Sequence, residues 1–211
     1  MSLDRTLADP EVARIAESLG SRPGTAAADD PSARPAAVAL VLRAIEARGL
    51  ELLFIRRAEY AEDPWSGQVA FPGGRREPGD ESLERTAIRE TWEETGIDLA
   101  ASGAILGALD DVRPNTIVLP RVVVRPFVAA VSADAQIRES GEVAEAFWVP
   151  LDALREESGW GETEVTARGM AMRVQAFQHG EHVVWGMTER IVRQLLTRLA
   201  GSWRGDEESK R

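Results

Sequence analysis

Residues 71–97 read FPGGRREPGDESLERTAIRETWEETGI, a glycine-bearing turn followed by a helix that carries Arg89, Glu90, Glu93 and Glu94. Each helical residue advances about 100°, so Glu93 lies about 60° to one side of Glu90 and Glu94 about 40° to the other. Three carboxylates then share an arc of about 100°. Like charges this close raise one another's pKa and oppose the helix unless a cation sits among them. Hard oxygen ligands of this kind suit Mg²⁺ or Mn²⁺, which take the rest of their shell from water and substrate phosphates. The local reading is a divalent-metal site for a phosphate-containing substrate. The plainer reading is an amphipathic helix with Ile88 and Trp92 buried and a solvated acidic face; it requires the turn and the helix to coincide by chance.

The same stretch resembles the Nudix box, the signature of enzymes that hydrolyse a nucleoside diphosphate linked to another group. The family pattern runs Gly, five residues, Glu, seven residues, then Arg-Glu-hydrophobic-x-Glu-Glu-x-Gly-hydrophobic. Residues 89–97 follow it, with polar Thr91 in the first hydrophobic slot. Upstream there is one residue too many: counting back from Arg89 reaches Glu81, and counting forward from Gly74 reaches Asp80. The resemblance implies Glu93 and Glu94 as core metal ligands, Glu90 as a further ligand or a base, and the Gly73 carbonyl completing the shell. Arg89 belongs to the catalytic set in a structural role, an ion pair with the upstream carboxylate that pins loop to helix. Gly73 and Gly74 also have a local reason, since close backbone approach excludes side chains. The general base of such enzymes often lies beyond the box. Glu139, Glu142 and Glu145 are the candidates, and Glu142 is favoured because relatives often carry a Glu shortly before a Trp-Val-Pro-Leu strand end. His179 and His182, the two histidines, sit near a turn without a partner motif and read as structural or exposed.

Substrate choice rests on the flanks. GQVAFPGG (67–74) and HVVWGMTERIVRQLL (182–196) resemble the branch that cleaves coenzyme A and acyl-CoA into 3′,5′-ADP and phosphopantetheine. Two departures stand against it. Phe54 replaces the usual Thr, and acidic Glu62 and Asp63, with an additional residue, replace the usual basic one. Arg56, Arg57, Arg75 and Arg76 are candidate phosphate contacts beside Gly74, and Trp65 is a candidate base-stacking ring or packing residue. The alternatives are a diphosphatase acting on ADP-ribose, NADH or dinucleoside polyphosphates, and a non-catalytic nucleotide-binding module of the same fold.

Outward from the box, residues 36–44 and 50–58 are apolar, β-branched runs separated by a turn near 47–49, a hairpin pattern. Residues 104–109 and the run 116–131 read as strands, with Pro120 and Pro126 at strand ends or bulges. A strand ending at Val149 leads into a short helix from Pro150. Residues 162–167, 170–177 and 182–185 are further strands, and residues 188–199 form a final amphipathic helix. Two sizeable helices among many strands give an α/β (α+β) class, an α/β/α sandwich around a mixed sheet, which is also what the Nudix resemblance implies. Residues 1–34 read as an N-terminal helix, with Val12, Ile15 and Leu19 on one stripe, and a linker; 35–200 as the Nudix-like domain; 201–211 as a flexible tail.

Composition sets outer bounds. The 211 residues carry a formal charge of −10, which argues against general nucleic-acid binding. Without Cys there are neither disulfides nor thiolate metal sites. No run of eighteen apolar residues reads as a membrane span, and a cytoplasmic location is the default. Lys210 is the only lysine, so every other cation is a guanidinium. The apolar run 118–131 fits a central strand or, alternatively, a homodimer interface.

Overall fold

The computed structural model describes residues 2–60, 65–115, 120–167 and 169–200. The first hairpin joins β1 (Arg34–Ile45) to β2 (Gly49–Arg57) in the register Leu42↔Leu52. β3 (Val69–Ala70) pairs with the far end of β2, and β4 (Gly73–Arg75) returns to the first half of β1, with Val38 opposite Gly73. The edge of β1 is thus shared by two partners, and the FPGG turn lies where one gives way to the other.

α3 (Leu83–Thr95) follows, capped at its start by the Ser82 side chain, which accepts the Arg85 N–H at 3.2 Å, and closed by left-handed Gly96 at φ 70°. α4 (Leu99–Ser102) and β5 (Gly103–Ala108) lead into β6 (Val122–Val131), which runs parallel to β1 from Arg34↔Val122 to Leu42↔Ala130. β7 (Val143–Pro150) adds to β2 antiparallel. Together the described strands form a seven-stranded mixed sheet.

Pro126 lies within β6 rather than at its end. Its missing N–H falls where the neighbouring chain bulges: three residues, 109–111, lie between the pairings Ala108↔Phe127 and Val112↔Val124, against two on β6. Residues 122–131 form an inner strand between β1 and β5, and residues 116–119 of the apolar run lie outside the described residues.

Both faces of the sheet are covered, so β1 reads as a continuous apolar run rather than an alternating one. Ala37, Ala39 and Val41 pack with Ala87, Ile97 and Leu99 on the α3 side. Leu40 and Leu42 face the other layer, built from α1 (Leu3–Leu7), α2 (Pro10–Ser21), α5 (Leu151–Arg155) and α6 (Gly186–Ala200). A separate antiparallel sheet of β8 (Trp160–Ala167), β9 (Met170–His179) and β10 (His182–Trp185) precedes α6. The molecule is an α/β/α sandwich.

The segment 1–34 contributes to the main core. Asp9 caps α2 by accepting the Glu11 N–H, and Val12, Ile15 and Leu19 are buried in one cluster with Val192, Leu195 and Leu199. The following linker is tied down by side chains from beyond β5: Thr25 N–H donates to Asp110 (2.7 Å) and Ala27 N–H to Asp111 (2.9 Å).

Candidate active site

The diglycine turn and α3 are in direct contact. Gly73 N–H donates to Glu94 Oε2 at 2.8 Å, and a Cβ added to Gly74 would come within 2.4 Å of Glu90 Oε1. A Cβ on Gly73 would meet the Ala37 carbonyl at 2.3 Å. Both glycines are therefore steric requirements of a turn pressed between a strand and two carboxylates. Gly73 meets the helix through its N–H.

Glu94 is buried, with Arg57 Nη1 3.6 Å from its Oε1. Burial pushes its pKa from 4.5 up to about 8, partly opposed by the Gly73 N–H and Arg57 and reinforced by Glu90 and Glu142. Burial likewise raises Glu90, against the pull of Arg89. Glu93 is exposed on the solvent side of the helix. Thr91, in the pattern's hydrophobic slot, is fully buried and donates its hydroxyl to the Ala87 carbonyl at 2.7 Å, so the helix's own backbone satisfies the polar atom. Trp92 stands half exposed, with the Arg138 guanidinium 5.9 Å from its ring centre.

Arg89 organises the group. Nε and Nη2 clasp the two oxygens of Asp80 at 3.1 and 2.9 Å, Nη1 reaches Glu90 and Glu93 at 2.9 Å each, and Nη2 also meets the Arg75 carbonyl at 3.2 Å. Asp80 is buried, takes further hydrogen bonds from Glu77 N–H and the Thr86 hydroxyl, and is held well below the usual carboxylate range chiefly by Arg89. The upstream acidic position is therefore Asp80. Glu81 is exposed, and its carbonyl accepts from Arg76, which also clips the Asp80 carbonyl. Arg76 is thus a loop clamp, while the exposed side chain of Arg75 stands at the turn.

Glu142 is exposed, and its charge is felt at both Glu90 and Glu94. The other two candidate bases are engaged: Glu139 accepts the Ala146 N–H at 2.7 Å, and Glu145 lies 3.5 Å from both Arg56 and His182. His182 stacks on Phe147 with ring centres 3.7 Å apart. Arg56 and Arg57 are both candidate phosphate contacts in the sequence, but successive strand residues face opposite ways. Arg57 joins Glu94 on the α3 side; Arg56 joins Glu145 and His182 on the other. Trp65 packs against the small cluster of Ala36, Val122 and Val124.

Among the described residues no three carboxylates or histidines are already closed around a common point. Glu90 and Glu93 share Arg89 instead. The donor set nonetheless fits a hard divalent ion: Glu90 and Glu94 stand at the diglycine turn, both raised by burial, with Glu93 beside them on the helix and the charge of Glu142 acting on both.

Fold and site together define a hydrolase of phosphoanhydride bonds, an α/β/α sandwich with a carboxylate helix locked to a diglycine turn. The chain belongs to the Nudix family: the model of the NUDIX domain matches residues 33–168. Members of that family act on pyrophosphate bonds and generally use divalent metal ions. Among its relatives are the mitochondrial coenzyme A diphosphatase NUDT8 of Homo sapiens, 33% identical over 80% of this chain and 71% of that protein, and an uncharacterised Nudix hydrolase, NudL, of Photorhabdus laumondii, 32% identical over 74% and 82%. Of solved structures, a MutT/nudix family protein from Enterococcus faecalis shares the fold with TM-score 0.56 at 18% identity, over 94% of this chain and 74% of that one. The NUDIX domain of Shewanella oneidensis NrtR, complexed with ADP ribose, does so with TM-score 0.53 at 19% identity, over 82% and 94%.

Proposed function

We propose that this chain hydrolyses the diphosphate bond of coenzyme A or an acyl-CoA, releasing 3′,5′-ADP and (acyl-)phosphopantetheine. The observation that carries hydrolysis is the excess of carboxylate packed against the Gly73–Gly74 turn, with Glu94 buried and raised. The choice of CoA is supported by the relative named as a coenzyme A diphosphatase and by the GQVAFPGG and Trp185-Gly186 flanks.

A diphosphate resists attack because its negative oxygens repel a nucleophile. A bound Mg²⁺ or Mn²⁺ neutralises that charge and lowers the pKa of a coordinated water. Glu90, Glu93 and Glu94 would hold it, with the Gly73 carbonyl as a further donor. Arg89 and Asp80 keep the loop fixed to α3, so Glu90 and Glu94 stay at the turn. Glu142 would take the proton of the attacking water, since its carboxylate is exposed and its charge acts on both Glu90 and Glu94. Arg57 offers a guanidinium to the substrate's phosphates from beside Glu94.

The test is a turnover panel of CoA, acyl-CoA, dephospho-CoA, ADP-ribose, NADH and diadenosine polyphosphates with either metal. CoA or acyl-CoA should give the highest kcat/KM. Equal or better turnover of dephospho-CoA overturns the CoA assignment, and no cleavage of any compound overturns hydrolysis.

A further inference from the structure

Glu142 sits on an exposed turn just before β7, and Gly141 ahead of it has open space where a side chain would stand. A carboxylate on such a turn points in many directions unless the peptide planes on both sides of its Cα are held. Within the turn, Glu142 N–H donates to Ser140 Oγ and Val143 N–H to the Ser140 carbonyl, both at 3.2 Å. Those bonds close the turn; its placement depends on contacts from other elements.

On one side it hangs from the end of α3. Arg138 N–H donates to the Thr95 carbonyl at 2.7 Å and Ser140 N–H to the Glu94 carbonyl at 3.2 Å, the residue whose carboxyl is buried at the diglycine turn. On the other side it meets the end of β2. The register there passes from Arg56↔Glu145 to Arg57↔Val143, which leaves Ala144 as a bulge. Beyond the bulge, Ala58 N–H donates to the Glu142 carbonyl at 2.9 Å. These ties are all backbone to backbone.

The remaining tie comes from a side chain. The Tyr60 hydroxyl donates to the Gly141 carbonyl at 2.9 Å, while the Tyr60 N–H is itself anchored on Ser66 Oγ at 2.8 Å. Consecutive carbonyls, 141 and 142, are thus held from the β2 side, so both peptide planes that flank the Glu142 Cα are fixed. Tyr60 is the only tyrosine of the chain and is 52% exposed. So open a ring buries little apolar surface, and packing alone does not account for it. Its distinctive contribution is a hydroxyl carried at the end of a stiff ring.

We infer that Tyr60 is a positioning residue for Glu142: its hydroxyl fixes the peptide plane between Gly141 and Glu142 and so holds that carboxylate in its place beside the end of α3. The inference rests on the diphosphatase reading with Glu142 as its base. It adds to that reading a residue far from the box in sequence, which acts on the reaction without touching the substrate.

Tyr60→Phe removes one oxygen and keeps the ring, and comparison with wild type and Glu142→Gln tests the inference. In the metal-free full chain, amide hydrogen exchange should quicken over residues 138–143 and stay unchanged in α6. With Mg²⁺, kcat should fall about threefold to tenfold, the scale of one hydrogen bond, while KM stays within about twofold. The loss should be the same on each of CoA, dephospho-CoA and ADP-ribose that is cleaved. In Glu142→Gln, where the base is gone, adding Tyr60→Phe should cost nothing more. Thermal melts check that the variants stay folded. Unchanged exchange or unchanged kcat in Tyr60→Phe, beside a crippled Glu142→Gln, overturns the inference and leaves the base in place. So does a raised KM at constant kcat, the mark of a hydroxyl that touches substrate, and so does a full further loss in the double variant. Wild-type kcat in Glu142→Gln overturns the base, and the inference with it.

Discussion

Arg89 binds three carboxylates with one guanidinium, yet they are not equivalent. Asp80 is buried and bidentate, and its loss leaves Arg89 half paired in a poorly solvated place. Asp80→Asn should therefore cost about 3 kcal/mol in denaturant titrations, whereas Glu81→Gln, on an exposed side chain, should stay within about 0.5 kcal/mol. Glu94 behaves in the opposite sense. Its folded pKa of about 8 lies above the ordinary 4.5. Between those values the folded state holds a proton that the unfolded chain has released, so stability is fullest at the acid end and declines as pH rises toward 8. The melting temperature of chelator-treated enzyme should accordingly fall from pH 5 to pH 8, and Glu94→Gln should flatten that slope while abolishing turnover. An unchanged slope in Glu94→Gln would assign the titration elsewhere. Asp80 has the reverse dependence: its depressed pKa contributes stability that is present above its ordinary 3.8 and lost as pH falls below it.

At the scale of the element, β2 divides its arginines between two faces. Arg57→Gln should lower kcat/KM about tenfold or more, since it removes a cation at the buried carboxylate. Arg56→Gln should change it by no more than about twofold, because it breaks a half-exposed pair with Glu145. Comparable losses in both would contradict the division. The two glycines separate in the same way. Gly74→Ala meets the movable end of Glu90 and should depress kcat in a folded enzyme, whereas Gly73→Ala meets the Ala37 backbone and should destabilise the fold itself, as melting curves would show. The hairpin, α3 and the short helix after Pro150 were legible in sequence because their patterns and caps are local. The choice of Asp80 over Glu81 was not, because both carboxylates satisfy one count and only the reach of Arg89 separates them. Nor was the facing of Arg56 and Arg57, since alternation gives opposite sides without saying which side holds the chemistry.

Across the whole molecule, the largest core cluster draws on α2, β1, β2, β6, α5 and α6. Helical periodicity revealed the stripe of Val12, Ile15 and Leu19 but not its partner, which lies about 180 residues further along the chain. With Ile15 fully buried, Ile15→Ala should cost about 2–4 kcal/mol. It should shift a single transition in which tryptophan fluorescence and far-ultraviolet dichroism coincide. An early dichroism step would show the N-terminal helix melting by itself. The box loop carries a different lesson. Once Asp80 is the anchor, the surplus residue falls between it and Arg89, where Glu81 comes first, turned to solvent with its carbonyl tethered by Arg76. In this chain two anchor points, Asp80 and Arg89, hold the loop to the helix whatever the tally of letters between them. A search for the motif by fixed spacing would pass over this chain, while one for a carboxylate within reach of the helix arginine would find it.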